Sequence, residues 1–361
     1  MSKIVLERIR EYLEVQKLDA FFCTKLVNVR YISGYTSDDA FLFITRDKQF
    51  FITDPRYTEL AGAQCPDYTL VEWRKQYGTV AAACASLAKE TGAKKIGFES
   101  LDMNVNMFRG IEDGLTGTNA ELAPMDGVIE DLRMHKTPQE IEYARAACEI
   151  TVRAYDRIQK DIRPGITEKE LAANLSRYMV LEGADTMPYG NILISGARTS
   201  LLHGIPSSKS VEYGDFVLMD YGCQFHGYMS DMTRTLVVGK ATPKQREVYR
   251  LVKQMSADTE AYLRDGAISD EAYRESVKAI ENTEYLPYHY TGIGHGVGLF
   301  VHEEPFLGPG RTRTIEKNTI LTVEPGLYIP GWGGVRIEDT VLVLKEGVEN
   351  LTPATKELIE L

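Results

Sequence analysis

Apolar residues recur at helical spacing through residues 4–15, including Val5, Ile9 and Leu13, which predicts an amphipathic helix at the start of the chain. The run Ala20-Phe21-Phe22-Cys23 predicts a short strand. Residues 40–45 and 49–53 are two further apolar runs flanking Arg46-Asp47-Lys48, the pattern of a hairpin. Asp54-Pro55-Arg56-Tyr57 then reads as a helix start, with Asp54 as the cap and Pro55 in the first turn. An Ala-rich helix over residues 80–90 and a strand at Lys95-Ile96-Gly97-Phe98 follow. Strands alternating with helices predict an α/β unit over residues 1–130, built on a largely covered mixed sheet.

Pro124, Gly127 and a polar run interrupt this pattern near residues 125–136, which places a domain border there and assigns residues 131–361 to a second domain. Thr137-Pro138-Gln139-Glu140 combines a Thr cap, Pro at the first helical position and Glu at the third. The helix it starts runs through Ile141, Ala144, Cys148, Val152 and Tyr155, with Pro164-Gly165 as its expected stop. Thr167-Glu168-Lys169-Glu170 is a second capping box, for a helix ending near Gly183. From residue 190 onward, strand runs at 216–219, 236–238, 319–323 and 340–344 are interleaved with Gly-rich turns, and a helical pattern returns between 243 and 278. The expected class is α+β.

Two passages of the second domain resemble each other. Phe216-Val217-Leu218-Met219-Asp220 is followed by Asp231-Met232-Thr233-Arg234-Thr235-Leu236-Val237. Ile320-Leu321-Thr322-Val323-Glu324 is followed by Glu338-Asp339-Thr340-Val341-Leu342-Val343. Each is a strand ending in an acid, a Gly-containing turn, then a second acid and another strand. Paired hairpins would bring four carboxylates together about a pseudo-twofold axis. Such a cluster raises its own pKa values unless cations neutralise it, and two divalent metals are the simplest solution.

Of six histidines, three lie in residues 287–305, around Gly294-His295-Gly296-Val297-Gly298 and His302. Glycines beside His295 allow close approach of the backbone to an ion or substrate, and its neutral imidazole can serve as a nitrogen ligand. His302, seven residues on, is placed to act beside the metals. His203, in Leu202-His203-Gly204-Ile205-Pro206, taken alone reads as a surface turn residue. His135 and His226 read as solvated, and His289 as either near the site or structural.

The 361-residue chain suits two domains. Its net charge of -11 argues against a nucleic-acid partner, which needs clustered Lys and Arg. Five scattered cysteines show no metal or redox spacing, so a disulfide framework is not expected. No stretch approaches the roughly 18 apolar residues of a membrane helix, nor an export signal. A cytoplasmic protein without membrane association is the expectation.

Asp220-Tyr221-Gly222, Asp231-Met232-Thr233-Arg234, Gly294-His295-Gly296-Val297-Gly298, His302-Glu303-x-Pro305, Glu324-Pro325-Gly326 and Val335-Arg336-Ile337-Glu338-Asp339 resemble, in order, the motifs of the proline-specific pita-bread metallopeptidases. These are the Xaa-Pro aminopeptidases and Xaa-Pro dipeptidases (prolidases). Tyr31-Ile32-Ser33-Gly34-Tyr35 and Phe51-Ile52-Thr53-Asp54-Pro55-Arg56-Tyr57 carry the likeness into the first domain, so it covers essentially the whole chain.

The resemblance implies a C-terminal pita-bread fold behind a creatinase/prolidase-type N-terminal domain. It implies two divalent ions, Mn foremost with Co or Zn as alternatives, held by Asp220, Asp231, His295, Glu324 and Glu338. Glu324 would be the general base, His203 and His302 would contact the scissile carbonyl and leaving group, and Arg336 would steady the site by pairing with acids. Tyr221 is expected to hydrogen-bond a neighbouring ligand. The substrates would be peptides with Pro second, and the first domain would form a homodimer and rim the site through Arg30, Tyr31 and the loop at residues 33–39. Cleavage of longer peptides is favoured over strict dipeptidase action because Phe306-Leu307-Gly308 stands where some prolidases carry an arginine; Arg311 or Arg313 could substitute. A metal-free creatinase-type hydrolase, a methionine aminopeptidase and a non-enzymatic module are the remote alternatives, since all five ligands and the first domain are present.

Overall fold

A computed structural model describes residues 2–187 and 190–361, and the chain forms two compact units, Met1–Arg133 and Met134–Leu361. In the first, a six-stranded mixed sheet has the order Thr69–Glu72, Gln49–Thr53, Ala40–Thr45, Ala20–Cys23, Lys95–Phe98, Glu121–Pro124. Ala20–Cys23 pairs antiparallel with the hairpin strand Ala40–Thr45 and parallel with Lys95–Phe98. The helix Ser2–Val15 buries Val5, Leu6, Ile9 and Leu13, the face its spacing marks. The Ala-rich helix Val80–Thr91 packs against Val105–Leu115. A Cβ at Gly110 or Gly114 would stand 3.0 or 2.7 Å from the Cβ of Ala81 or Ala85, so small residues four apart on both helices let the axes approach. Asp54 caps the turn Pro55–Tyr57 as expected, accepting from Arg56 N at 3.1 Å. Tyr31 is buried, with its hydroxyl donated to the Leu132 carbonyl at 3.1 Å, and so supports the helix Leu26–Ser33 within this unit.

The second unit is two similar halves. Each opens with a long helix, Pro138–Ile158 or Pro243–Tyr262, entered through the same Thr-Pro capping box at Thr137 and Thr242. Each continues with a shorter helix, Glu168–Leu181 or Ser269–Val277, then an antiparallel sheet. The first long helix ends at Ile158, before the expected stop at Pro164. The turn beyond it is held by Asp161, whose carboxylate accepts from Asn174 at 2.9 Å and Tyr178 at 2.8 Å in the next helix. The helical pattern of residues 243–278 is likewise two helices, broken at Gly266, whose φ of 87° is left-handed.

The sheets have the order Met232–Val237, Phe216–Tyr221, Ile192–Ser195 and, in the other half, Glu303–Leu307, Gly294–Gly296, Ile320–Val323, Asp339–Val343, Val348–Asn350. Both acid-bearing passages are antiparallel hairpins, with Asp220 opposite Thr233 and Val323 opposite Asp339. Val217, Met219 and Leu236 pack against Ala147, Ala154 and Ile158 of the first long helix, and Leu321, Val323 and Val341 pack with Ala272 of the second short helix. Among the described residues, no helix is long and apolar enough to cross a membrane.

Candidate metal centre

Strand alternation places the acids. In the first hairpin, Thr233 pairs with Asp220, so Asp231, two positions before Thr233, lies along the same face. In the second, Val323 opposite Asp339 brings Glu324 across from Glu338. A single antiparallel bridge, Thr233 with Glu338, joins the hairpins, and Glu338 N donates to Thr233 O at 3.0 Å. Each hairpin then steadies the other's acid through a threonine two residues past its own. Thr233 Oγ1 donates to Glu338 Oε2 at 2.6 Å, and Thr340 Oγ1 donates to the Asp231 carbonyl at 2.7 Å.

His295 enters from Gly294–Gly296. Its Nδ1 faces its neighbour Gly296 O at 3.1 Å, which fits the proton on Nδ1 and leaves Nε2 as a lone-pair donor. That Nε2 lies 3.3 Å from Glu324 Oε1 and 3.9 Å from Asp231 Oδ2. Ligand atoms of Asp231, His295 and Glu338 all lie within 4.8 Å of one another. The flanking glycines have a different cause from the one the sequence suggested. A Cβ at Gly294 would stand 2.1 Å from the Thr322 carbonyl oxygen, and one at Gly296 2.2 Å from that of Glu304. Close packing against backbone, not approach to an ion, excludes a side chain at both.

His203, Asp220, Asp231, His295, His302, Glu324, Arg336 and Glu338 all line one cavity of about 760 Å³. The His302 ring meets the His295 ring edge to face, centroids 4.4 Å apart. Its loop is backed by the buried pair Lys136–Glu303 at 3.5 Å, and Glu303 also accepts from Phe300 N at 2.9 Å. Arg336 is buried, pairs with Asp220, and donates to Tyr328 Oη at 2.9 Å and Thr233 Oγ1 at 3.1 Å. Ile192, Leu202, Ile205, Val301 and Phe306 form an apolar wall beyond the acids.

The remaining histidines lie outside this cavity. His289 is structural, with Nδ1 2.6 Å from Leu286 O and Nε2 2.9 Å from Tyr273 Oη. His226 is exposed in its turn, and His135 is 3.7 Å from Glu316. Tyr221 does not have the expected bond to a ligand. Its hydroxyl donates to Thr151 O at 3.3 Å, because alternation turns it into the core beside Tyr155 while Asp220 faces the cavity.

Four carboxylates face one guanidinium, and the two glutamates among them are weakened as acids. Burial raises Glu324 to about 7, with Arg336 opposing and Asp220 adding to the rise. Burial, then the charges of Asp231 and Glu324, push Glu338 well above the carboxylate range. Burial lowers His295, and burial with the neighbouring His295 lowers His302, so both are held neutral. The cluster thus combines oxygen donors short of positive charge with a neutral imidazole nitrogen, a donor set that fits hard or borderline divalent cations.

The pattern of Metallopeptidase family M24 matches residues 142–345, and that of the Creatinase/Prolidase N-terminal domain matches residues 6–135. The chain belongs to metallopeptidase family M24. It is 32% identical to the Xaa-Pro dipeptidase of Pyrococcus furiosus over 98% of this chain and 99% of that one. Among solved structures, the Xaa-Pro dipeptidase from Bacillus anthracis superposes with a TM-score of 0.95 at 35% identity, covering 100% of both chains. The X-Pro aminopeptidase from Thermotoga maritima MSB8 does so with a TM-score of 0.88 at 29% identity, covering 96% of this chain and 98% of that one. The second unit has the expected pita-bread fold, and the protein is a metal-dependent hydrolase.

Membership in a metallopeptidase family implies divalent ions, and the raised pKa values of Glu324 and Glu338 determine what their uptake involves. A carboxyl group raised in the folded chain keeps its proton at a pH where the unfolded chain has lost it. Its contribution to stability is complete below the unfolded value of about 4.3 and is lost as pH rises through the folded value, about 7 for Glu324. The metal-free protein should therefore lose stability between about pH 4.5 and 7, while a cation that needs both glutamates ionised displaces protons. At pH 6, metal titration in buffers of different ionisation enthalpy should show release of about one proton or more per chain. Heats independent of the buffer would contradict this.

The sequence reading missed the positioning residues Thr233, Thr340 and Tyr328. An acid-x-Thr spacing shared by Asp231 and Glu338 was the available signal for the threonines. Tyr328 has no such signal, since its hydroxyl reaches Arg336 only across the pairing of Gly326–Ile329 with Gly333–Arg336.

Proposed function

We propose that this chain is a two-metal Xaa-Pro aminopeptidase, hydrolysing the bond between an N-terminal residue and a following proline. The observation that carries this reading is the carboxylate–imidazole cluster facing an apolar wall across one cavity, in a chain similar to Xaa-Pro peptidases along its whole length. Asp220, Asp231, His295, Glu324 and Glu338 would hold the metals. Bound there, divalent cations would supply Lewis acidity and a water of lowered pKa. Mn is the ion we favour, with Co and Zn as alternatives the same donors accept.

The chain's own groups account for the remaining chemistry. An Xaa-Pro bond is a tertiary amide without an N–H, so recognition cannot use that donor. The pyrrolidine ring suits an apolar wall such as Ile192, Val301 and Phe306. Glu324, at the edge of the cluster beside His295 Nε2, would take a proton from the attacking water and return it to the departing proline nitrogen. His302, held neutral, can donate its N–H to the oxygen of the tetrahedral intermediate, and His203 faces the same space. Arg336 holds Asp220 in place and offsets part of the negative charge.

The preference for longer peptides over dipeptides rests on the cations. Among the described residues lining the cavity, Arg336 carries the only guanidinium or ammonium group, and it is engaged with Asp220. A substrate carboxylate on Pro would therefore meet no partner inside. Arg313 pairs with Glu304 at 3.7 Å, and Arg311 lies outside the wall with its Cζ 5.5 Å from the Phe306 ring centroid. Xaa-Pro-Yaa peptides should be cleaved with kcat/KM at least about tenfold above Xaa-Pro, a difference of ~1.4 kcal/mol. The variant R311A should change the tripeptide value less than about twofold. Cleavage of dipeptides alone would favour a prolidase instead.

We assign residues 1–130 to oligomerisation as a homodimer and to restricting substrate length, residues 131–361 to catalysis, and the protein to the cytoplasm. All five cysteines are buried without a disulfide partner, which suits that compartment.

A further inference from the structure

Glu168 is fully buried, begins the helix Glu168–Leu181 and belongs to no part of the metal centre. Its Oε1 accepts from Ser195 N at 2.8 Å and Ser195 Oγ at 3.2 Å. Its Oε2 accepts from Ser207 N at 2.9 Å and Ser207 Oγ at 2.8 Å. Arg198 Nε lies within bonding distance of both oxygens, at 3.2 and 3.1 Å. The same guanidinium donates through Nη2 to the Ile205 carbonyl at 2.6 Å. One carboxylate thus ties together both ends of segment 195–207, and the arginine it orients grips the middle, two residues past His203.

The segment is fastened on its other side too. Thr199 Oγ1 accepts from Gly334 N at 2.7 Å, and the Leu202 carbonyl accepts from Arg336 Nη1 at 3.4 Å. What these ties hold still is exposed. His203 faces the cavity from an exposed position, and Ile205 is 80% exposed beside it. A carboxylate at the first position of a helix serves the helix dipole equally well from the surface. Burying one costs stability unless every lone pair is engaged, and here five donor groups of three residues engage it.

We propose that the Glu168–Arg198 pair is a clasp that positions His203 over the candidate metal centre, so that it sets the rate of turnover as well as the shape of the loop. The proposal rests on the role given to His203 above. Glu168 and Arg198 are positioning residues; neither touches the reacting atoms.

The test is a double-mutant cycle between R198Q and H203A, read as kcat and KM on an Xaa-Pro-Yaa peptide with bound metal measured in each variant. Arg198 is 32% exposed, and without it Glu168 keeps its bonds to Ser195 and Ser207, so R198Q should fold and retain metal. We expect R198Q to lower kcat about tenfold or more with KM changed less than about threefold, and to cost less than about twofold when His203 is already alanine. E168Q carries the same expectation and serves if R198Q does not fold. Unchanged kcat in a folded clasp variant, with H203A impaired, overturns the clasp alone. Equal losses in both backgrounds overturn it as well, because the effect then does not pass through His203. Wild-type turnover in H203A overturns the role of His203 and the clasp with it.

Discussion

Replacing Asp231 with asparagine is expected to reduce kcat by about 10³-fold or more, at least ~4 kcal/mol of transition-state stabilisation, with loss of bound metal. Asp231 shares with His295 and Glu338 the tightest group of candidate ligand atoms, all within 4.8 Å. Its backbone is fastened by Thr340 from the opposite hairpin. Asparagine keeps the shape and removes one charge from four mutually repelling carboxylates. The metal-free variant should therefore melt no lower than the metal-free parent, which separates loss of metal from loss of fold. Elemental analysis beside thermal unfolding checks both halves. A D231N protein that keeps its metal and its activity would contradict the assignment.

The second large effect is on stability. Arg234 is 1% exposed and sits in a cage formed by three separate parts of the chain. Nη1 donates to the carbonyls of Thr233 at 3.0 Å and Glu338 at 2.6 Å. Nη2 donates to Asp339 at 2.6 Å and to the carbonyls of Thr352 at 3.1 Å and Ala354 at 2.7 Å, and Nε to that of Thr355 at 3.0 Å. Asp339 is paired in turn with Lys356 at 2.7 Å, which also holds Glu260 at 2.7 Å. Substitution by methionine fills the space but leaves a buried aspartate with half its counter-charge and several carbonyls without donors. The expected cost is about 3–5 kcal/mol, a fall in melting temperature on the order of 10 °C for a unit of this size. A shift under about 2 °C would show that the cage contributes little. Since Arg234 bonds the Glu338 carbonyl, R234M should also weaken metal affinity.

Much of the site was legible because its candidate ligands stand at or just beyond the ends of short, continuously apolar strands. The runs at residues 216–219 and 320–323 mark strands leading into Asp220 and Glu324, the second apolar run of each passage completes a hairpin, and repetition marks their acids as placed. What was not legible depends on contacts between distant segments. Nothing near Glu168 announces that its carboxylate will meet Ser207, and nothing near Arg234 announces the chain end at residues 352–355. The reason for Gly294 and Gly296 was misread for the same cause, since the carbonyls that exclude a Cβ belong to neighbouring strands. The helix Val105–Leu115 escaped notice because Gly110 and Gly114 weaken its intrinsic propensity. Those glycines are there for its packing on Ala81 and Ala85. Tyr221 shows the limit of reasoning by adjacency, because a residue next to a ligand on a strand points the other way.

Hydrolysis of Xaa-Pro bonds is expected to run through the five-residue cluster and the metals it would hold. The most direct test is the rate of Ala-Pro-Ala and Ala-Ala-Ala hydrolysis by the purified chain, first stripped with chelator and then titrated with Mn. The account predicts no turnover of either peptide by the stripped protein, and restoration on Ala-Pro-Ala with release of free alanine as metal is added. Undiminished hydrolysis without metal, or equal rates on the two peptides after reloading, would contradict it.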